Sequence, residues 1–591
     1  MIIYQDKLIY TSVSASIILF LGLLFYRYVF PRKNINLFIL LIFISLLPIL
    51  SIFRPGTYQA GDLTIHSVFL QSFFQNLQDG ILIPQWAGGL CGGYGCPVFM
   101  FEYVLPFYIG SFFHALGFSL LDSMKLFLAS TYILSGITMY IFINDEYGKK
   151  EAFVASILYL FAPVRFIEMH FRVSVGTDAA FIFVPLAFYF VKKSLSGKLL
   201  YIILCALNFL LLILAHSSIT LVTIPASLFY AFIKKKKIKD LVYPIAGYIL
   251  GAGLVAYYAL PAVSEVKYTW TSQAIKSVTD FKPFLEYIYS PSRFGLLFQG
   301  NNGELWLIVG YAQLFIVIFA IYSLFKNKYN QEEKKLIIFL LLFFIICFLL
   351  MLSLTKPLWD TIFLLRSFVL PWRMLVPITF ATAFLGAIVT KDWGRKFLVI
   401  FCIIVILLTI LNWGNRKMVP LEPHAFYTHW SLYSEYYEPG NPIYVSRYKN
   451  RVNKIPNLVL HKPVTHLEIL SGKGEVKEIK RTQISHEYLL YAASNLQLSE
   501  NTYYFTGWKI YVNGKQTPIN IRNSKHFGTL TFNLTKGLYD IKAEFQDTPE
   551  RKIAKIISAM TFIITIITLL FAISRKIDYV NFKKNKLTLK K

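Results

Sequence analysis

The stretch from Gly61 to Pro106 reads GDLTIHSVFLQSFFQNLQDGILIPQWAGGLCGGYGCPVFMFEYVLP. It follows two apolar runs, near residues 11–30 and 35–53, that are long enough to cross a bilayer. It joins the acidic residues Asp62, Asp79 and Glu102 to a cluster of Gly, Pro and aromatic residues. That mixture suits neither a helix facing lipid nor a disordered linker. It reads as the first external loop, residues 54–124, of a polytopic membrane protein.

Composition supports this placement. The 591 residues are 56% hydrophobic, 17% aromatic and only 15% charged. A soluble domain carries roughly a quarter charged residues, so lipid is the solvent for much of this chain. The formal charge of +27 invites a nucleic-acid partner. The Lys and Arg residues, however, sit in short loops between apolar runs, where membrane topology explains them and nucleic acid is not needed.

Apolar runs predict about thirteen crossings on the criterion of about 20 residues each. They lie near 11–30, 35–53, 125–143, 151–163, 177–192, 198–214, 217–233, 241–260, 304–325, 335–353, 374–390, 396–412 and 554–573. Arg32 and Lys33, Lys149 and Lys150, Lys192, Lys193 and Lys198, the run KKKKIK at 234–239, KNKYNQEEKK at 326–335, KDWGRK at 391–396 and the basic tail fall on alternate loops. The positive-inside rule makes that face cytoplasmic, in a multi-pass plasma (inner) membrane protein with a cytoplasmic C-terminus. The external loops are then 54–124, 163–176, 215–217, 261–303, 354–373 and 413–553. Residues 103–120 are apolar enough to cross, but a crossing would put KKKKIK outside. They read as a re-entrant or interfacial helix, the other option being that they cross and the N-terminal run does not.

Residues 1–412 thus form a multi-span domain, 413–553 an external domain, and 554–591 a last crossing with a basic cytoplasmic tail. The external domain alternates polar and apolar residues, as in Lys509 to Val512 and Thr529 to Asn533. Asn513-Gly514 between such runs predicts a type I′ hairpin, and Lys536-Gly537 a second turn, in a β-sandwich-like unit. Cys205, Cys347 and Cys402 lie in apolar runs as small core residues. Cys91 and Cys96 share the Gly-rich loop, where a disulfide is one option.

Each external loop supplies polar residues near the membrane. The first gives Asp62, His66 and Glu102. The second gives Arg165, Glu168, His170, Arg172 and Asp178. His216 sits in the short third loop, Glu265 and Lys267 in the fourth, and Arg366 and Arg373 in the fifth. Ionisable groups at membrane depth are costly and usually face a cavity or a partner. A carboxylate at the edge of a low-dielectric region has a raised pKa and suits a general base, which points to Asp62. His66 lies four residues on, on the same helical face. Arginine presents a planar fork that fits phosphate. Trp86, Tyr94 and Tyr103 are candidate platforms for a sugar. Plainer readings stand beside these: Asp62 as a helix N-cap, Glu168 with Arg172 as an ordinary ion pair, His216 as a helix-terminal residue, and Glu265 and Lys267 as solvated charges. Aromatics near span ends are more often interfacial belt residues than sugar platforms.

The order of GDLTIH, ILIPQW, GGYGCPVFMFEYVLPFY, AHSSITL, ALPAVSE, LPWRM, YFTGWKIYVNGK and TKGLYDIKAEFQDTP resembles the bacterial integral membrane proteins labelled 6-pyruvoyl-tetrahydropterin-synthase-related, and the neighbouring YfhO-type proteins. More broadly the chain is similar to GT-C-fold glycosyltransferases. The resemblance covers nearly the whole chain. It implies a GT-C-like helical membrane core that takes sugar from a polyprenyl-phosphate donor and transfers it to a cell-envelope glycan, lipid or protein. It implies Asp62 as the catalytic acidic residue and Arg172 or Arg373 at the phosphate; the polar residues of the loops, His66, Glu102, Glu168, Arg172, His216 and Arg373, are the candidates for binding substrate. Two departures stand out. An extra apolar run, 11–30, precedes the one paired with the catalytic loop, and a single Asp stands where an acidic pair would hold a divalent metal, leaving metal use open. The pterin part of the label does not carry over, because the Zn-binding His set of a soluble pterin enzyme is missing from the sequence. A flippase for a lipid-linked glycan, or a scaffold whose β-rich domain binds a surface polymer, are the alternatives.

Overall fold

The computed structural model describes residues 8–58, 60–269, 281–289, 307–326, 329–410, 418–419, 465–523, 526 and 528–588. Its principal helices are α1 Leu8–Val29, α2 Leu37–Leu46, α3 Leu63–Gln78, α4 Leu105–Ala115, α5 Leu120–Glu146, α6 Lys149–Leu160, α7 Val175–Ser194, α8 Leu199–Lys234, α9 Val242–Leu254, α10 Ala256–Glu265, α11 Tyr311–Phe325, α12 Gln331–Leu350, α13 Leu375–Val389, α14 Arg395–Ile410 and α15 Pro549–Thr588. Helix α13, LVPITFATAFLGAIV, is apolar on every side and every one of its residues is buried, so it lies inside the bundle. The apolar stretch of α1 is almost wholly exposed, as a helix facing lipid would be.

Helix α8 doubles back. Its 36 residues would extend about 54 Å if straight, nearly twice a hydrocarbon core. At His216 the backbone is extended, with φ −164° and ψ 100°. Cys205 lies against Gly247, and Ser227 hydrogen-bonds the Tyr248 hydroxyl at 2.6 Å. In a straight helix those two contacts would be about 33 Å apart. Two antiparallel halves therefore meet at His216.

The bundle has two chemically distinct ends. At one, Lys192 meets Asp145 at 3.0 Å, Lys234 bridges Glu146 at 2.7 Å and Glu332 at 2.6 Å, and Lys391 meets Glu333 at 2.5 Å. These join the ends of α5, α7, α8 and α13 to the start of α12. Asn330 and Glu333 close a capping box that starts α12 there. At the other end lie the start of α3, the His216 turn, Arg373 and the β-sheet region.

Among the described residues, six helices are long and apolar enough to cross a membrane, or eight if each of two bent pairs is one span. The expected count of thirteen is not reached on that criterion. Several expected runs are interrupted: α2 has 10 residues, α6 has 12 and α11 has 15. Pro48 follows α2, and α6 bends by 54° into Pro163–Arg172. The run 103–120 forms α4, whose 11 residues rise about 16 Å, well short of a bilayer core.

The C-terminal sheet region contains two antiparallel sheets. Strands β4 Gly474–Arg481, β5 Ser485–Ala492, β7 Trp508–Val512, β8 Lys515–Thr517 and β10 Gly537–Phe545 form one, in the order β4-β5-β10-β7-β8. Strands β3 Leu467–Ser471, β6 Leu496–Tyr503 and β9 Thr529–Leu534 form the other. Leu498 and Phe532 from one and Leu490, Ile510 and Ile541 from the other share a core, as in a sandwich. Asn513 and Gly514 have φ of 47° and 76° between paired Val512 and Lys515, so the hairpin has the left-handed pair of residues that a type I′ turn needs. The remaining two strands, β1 Thr57–Tyr58 and β2 Met418–Val419, pair with each other. Residues 420–464 of the expected 413–553 domain lie outside the described residues.

Side-chain contacts from the first loop and from α15 fix the sheet region to the rest of the chain. Buried Trp86 packs against Trp508 and Phe545, with ring centroids 5.4 and 5.3 Å apart. Tyr94 stacks on Tyr503 at 4.8 Å. Arg551, in the first turn of α15, makes a buried two-pronged pair with Glu265 at the end of α10, at 3.0 and 2.6 Å, and also donates to the Thr506 carbonyl. Lower down, Ser558 accepts from the Tyr257 N–H and donates to the Gly253 carbonyl. Trp86 and Tyr94 are thus interface residues in place of sugar platforms, and Glu265 is a buried latch in place of a solvated charge.

Candidate functional site

The start of α3 is pinned before any side chain acts. The main-chain N–H groups of Gly61 and Asp62 donate to the carbonyls of Phe171 and Arg172, at 2.7 and 2.8 Å. A Cβ on Gly61 would come within 3.2 Å of the Arg172 carbonyl, so the glycine admits this close approach. On the partner side, Ile167–Arg172 is a π-helical turn and Val173 has φ 61°. A β-branched residue rarely adopts that left-handed backbone, and such strain gathers at functional sites. The chain is bent here so that Arg172 faces Asp62.

Asp62 occupies the N-cap position of α3, but its side chain makes no capping hydrogen bond. Its carboxylate instead lies 3.9 Å from Arg172 Nε and is 43% exposed. Burial raises its pKa above the ordinary value, against the pull of the Arg172 and Arg373 charges. Burial also pushes half-buried Glu102 up to about 7, against Arg373, with the charge of Asp62 adding to the rise. His66, one turn along α3, is buried and pushed down to about 3 by burial and then by Arg172, so it is neutral at physiological pH.

The two arginines keep donors in hand. Arg172 lies 4.5 Å over the Trp372 ring, and its Nη1 has no hydrogen-bond partner. Arg373 donates from Nη1 to the Phe368 carbonyl at 2.7 Å, while its Nε has no partner. Both carboxylate oxygens of buried Glu168 also lack one, and no Glu168–Arg172 ion pair forms. Neither ring nitrogen of His66 or His216 has a partner of normal geometry. The Tyr103 ring neighbours both histidines, with centroids at 6.1 and 5.9 Å. It fits there because residue 176 is glycine, where a Cβ would come within 2.6 Å of that ring.

Unpartnered buried polar atoms are rare in folded proteins, and His66, Glu168, Arg172, His216 and Arg373 all carry them at this one place. The structure brings Asp62, His66, Glu102, Glu168, Arg172, His216 and Arg373 to one end of the bundle. It sets Arg165 and Asp178 apart as a buried pair at 3.2 Å, with Ser135 accepting from the same guanidinium. His170 is spent on the Pro48 carbonyl. Trp372, which sequence reasoning missed, sits beside Arg373 in LPWRM, and that adjacency was its only signal. Among the described residues no group of three His, Cys, Asp or Glu could hold a metal ion. Cys91 and Cys96 are both buried, and no disulfide joins them.

Residues 101–419 match the family described as 6-pyruvoyl-tetrahydropterin synthase related domain, membrane protein, over just more than half of the chain. The chain belongs to this family. The match takes in Glu102, Glu168, Arg172, His216 and Arg373, while Asp62 and His66 precede it. No curated protein is similar enough in sequence to count as a relative. Among solved structures, arabinofuranosyltransferase AftD from Mycobacteria matches at TM-score 0.40 and 14% identity, over 66% of this chain and 28% of that one. Archaeal oligosaccharyltransferase AglB from Archaeoglobus fulgidus, solved with an inhibitory peptide and a dolichol-phosphate, matches at 0.35 and 12%, over 67% and 55%. The family member described here thus spans between about a quarter and about half of those proteins' lengths.

Proposed function

We propose that this family member is a glycosyltransferase whose active site is the polar end of the bundle. It takes sugar from a polyprenyl-phosphate donor and passes it to a cell-envelope acceptor. The observation that carries this reading is a part-exposed carboxylate with a raised pKa beside two arginines that have N–H groups without partners. In the proposed step Asp62 accepts the proton of an acceptor hydroxyl, whose oxygen bonds to the anomeric carbon. The bond from that carbon to the phosphate oxygen breaks, the electron pair leaves with the lipid phosphate, and the sugar configuration inverts. Arg172 and Arg373 stabilise the charge on the departing phosphate. Neutral His66 and His216, with Tyr103 and Glu168, offer hydrogen bonds to sugar hydroxyls.

The basic end faces the cytoplasm on the positive-inside rule, which puts the site and the C-terminal sheet region at the external face. On this reading residues 1–412 are the membrane domain, 413–553 the external domain, and 554–591 the last crossing and tail. A transfer assay with radiolabelled polyprenyl-phosphate sugars, wild type against Asp62→Asn, tests the proposal. Loss of transfer in the variant is expected. Transfer that survives the change removes Asp62 from the step, and no transfer by the wild type from any donor favours the flippase or scaffold.

A further inference from the structure

A second polar recess lies along α3, on the flank facing the sheet region. Its volume is about 480 Å³. One wall is a stripe of α3 that carries Gln71, Gln75 and Gln78 at helical spacing, and the other is the end of β4 with His466, Arg481 and Gln483. Gln483 closes the floor. Its N–H donates to Asp79, its Oε1 accepts from the Gly88 N–H at 2.8 Å, and its Nε2 reaches Gln75 at 3.4 Å. Arg481 is held from behind by the Tyr488 hydroxyl at 3.0 Å and buried Glu500 at 3.5 Å. Val68 and Leu90 alone of the lining are large and apolar.

We propose that this recess binds an oligosaccharide segment of the acceptor, a reading that rests on the transferase assignment above. The chemistry favours a polyhydroxyl chain. Amide and hydroxyl groups that both donate and accept dominate the lining, and one acidic and one basic side chain balance each other. A peptide would need apolar pockets for its anchoring side chains, and the recess has none of that size. Position adds to the case. The recess begins at Val68, about 9 Å along the helix axis from Asp62, and ends at Asp79. The stretch from Val68 to Asp79 is long enough for several sugar units, held on the flank of α3 turned away from Asp62. The acceptor is a chain of several sugars in place of a single monosaccharide.

The test uses full-length protein in nanodiscs and an array of neutral and acidic oligosaccharides, with monosaccharides and unglycosylated peptides as further arms. Wild type binds oligosaccharides of several units and neither of the other arms. The exposed change Gln78→Leu combined with Gln71→Leu lowers that binding at least tenfold with the melting temperature unchanged. Asp62→Asn binds like wild type while losing transfer. Oligosaccharide binding that survives the double change, preferential peptide binding, or no binding by the wild type overturns the proposal. Cleft-dependent binding by a protein that transfers no sugar leaves the recess as a glycan site and removes the transferase reading alone.

Discussion

Asp62 is held where ionisation is unfavourable, which separates its role in chemistry from any role in stability. Its raised pKa means that the charged form costs folding free energy as pH rises, so Asp62→Asn leaves the melting temperature unchanged or slightly higher. The same change lowers transfer by about 100-fold or more if it removes a general base. A base must be deprotonated to work, so the rate climbs with pH as Asp62 ionises and levels off at a pH higher than an ordinary aspartate would give. The charge of Asp62 raises Glu102, so Asp62 ionises first and Glu102→Gln leaves this limb in place; a limb that moves to lower pH means that the two carboxyls titrate together. Arg172→Lys keeps the charge but loses the fork and the stacking on Trp372. It lowers kcat/KM about tenfold, a loss of about 1.4 kcal/mol, with kcat falling because Arg172 meets the charge that develops on the departing phosphate. The choice of Asp62 over Asp79 rested on the resemblance to GT-C-fold enzymes, and the structure sets it within reach of the charges of both arginines. The sequence carried no sign that its side chain leaves the cap unused, because that depends on the π-helical turn packed against it.

At the scale of elements, apolar runs and basic loops made most helices and both ends of the bundle legible. The turn at His216 came from two apolar runs separated by a polar residue, and the backbone there does reverse. Cross-linking checks this directly. A short thiol-reactive reagent joins Cys205 to a cysteine at position 227 (Ser227→Cys), because both positions pack around Gly247 and Tyr248. A straight helix would hold them about 33 Å apart, and no cross-link would form. Run length was a poorer guide to crossings. It cannot tell a short helix inside a helical bundle from one that meets lipid, which is why α2, α6 and α11 fall short of the expected spans. In the Gly-rich loop the close approach is made by Trp86: a Cβ at Gly95 would clash with its ring, which is committed to Trp508 and Phe545. Sequence spacing shows where backbone approaches closely, but not which distant strand arrives.

For the whole molecule, the sheet region carries its own titration. Burial alone would raise Glu500, but His486 at 2.8 Å and Arg481 pull it down to about 2 from an ordinary 4.5. A carboxylate depressed in the folded state stabilises the fold above its unfolded pKa and loses that contribution as pH falls through the folded one. The melting temperature of the sheet region therefore drops between about pH 4.5 and about pH 2, and this drop is absent in a Glu500→Gln variant. The Arg551–Glu265 latch has a different consequence. It ties α15 to α10, while Ser558 further along α15 bonds both α10 and α9 and Trp86 locks the loop to the sheets. Covalent continuity between residues 420 and 464 is then dispensable for assembly. The protein can be supplied as two polypeptides, 1–419 and 465–591, that find each other when co-expressed, and disrupting the latch with Arg551→Leu should prevent that reunion while leaving the unbroken chain assembled.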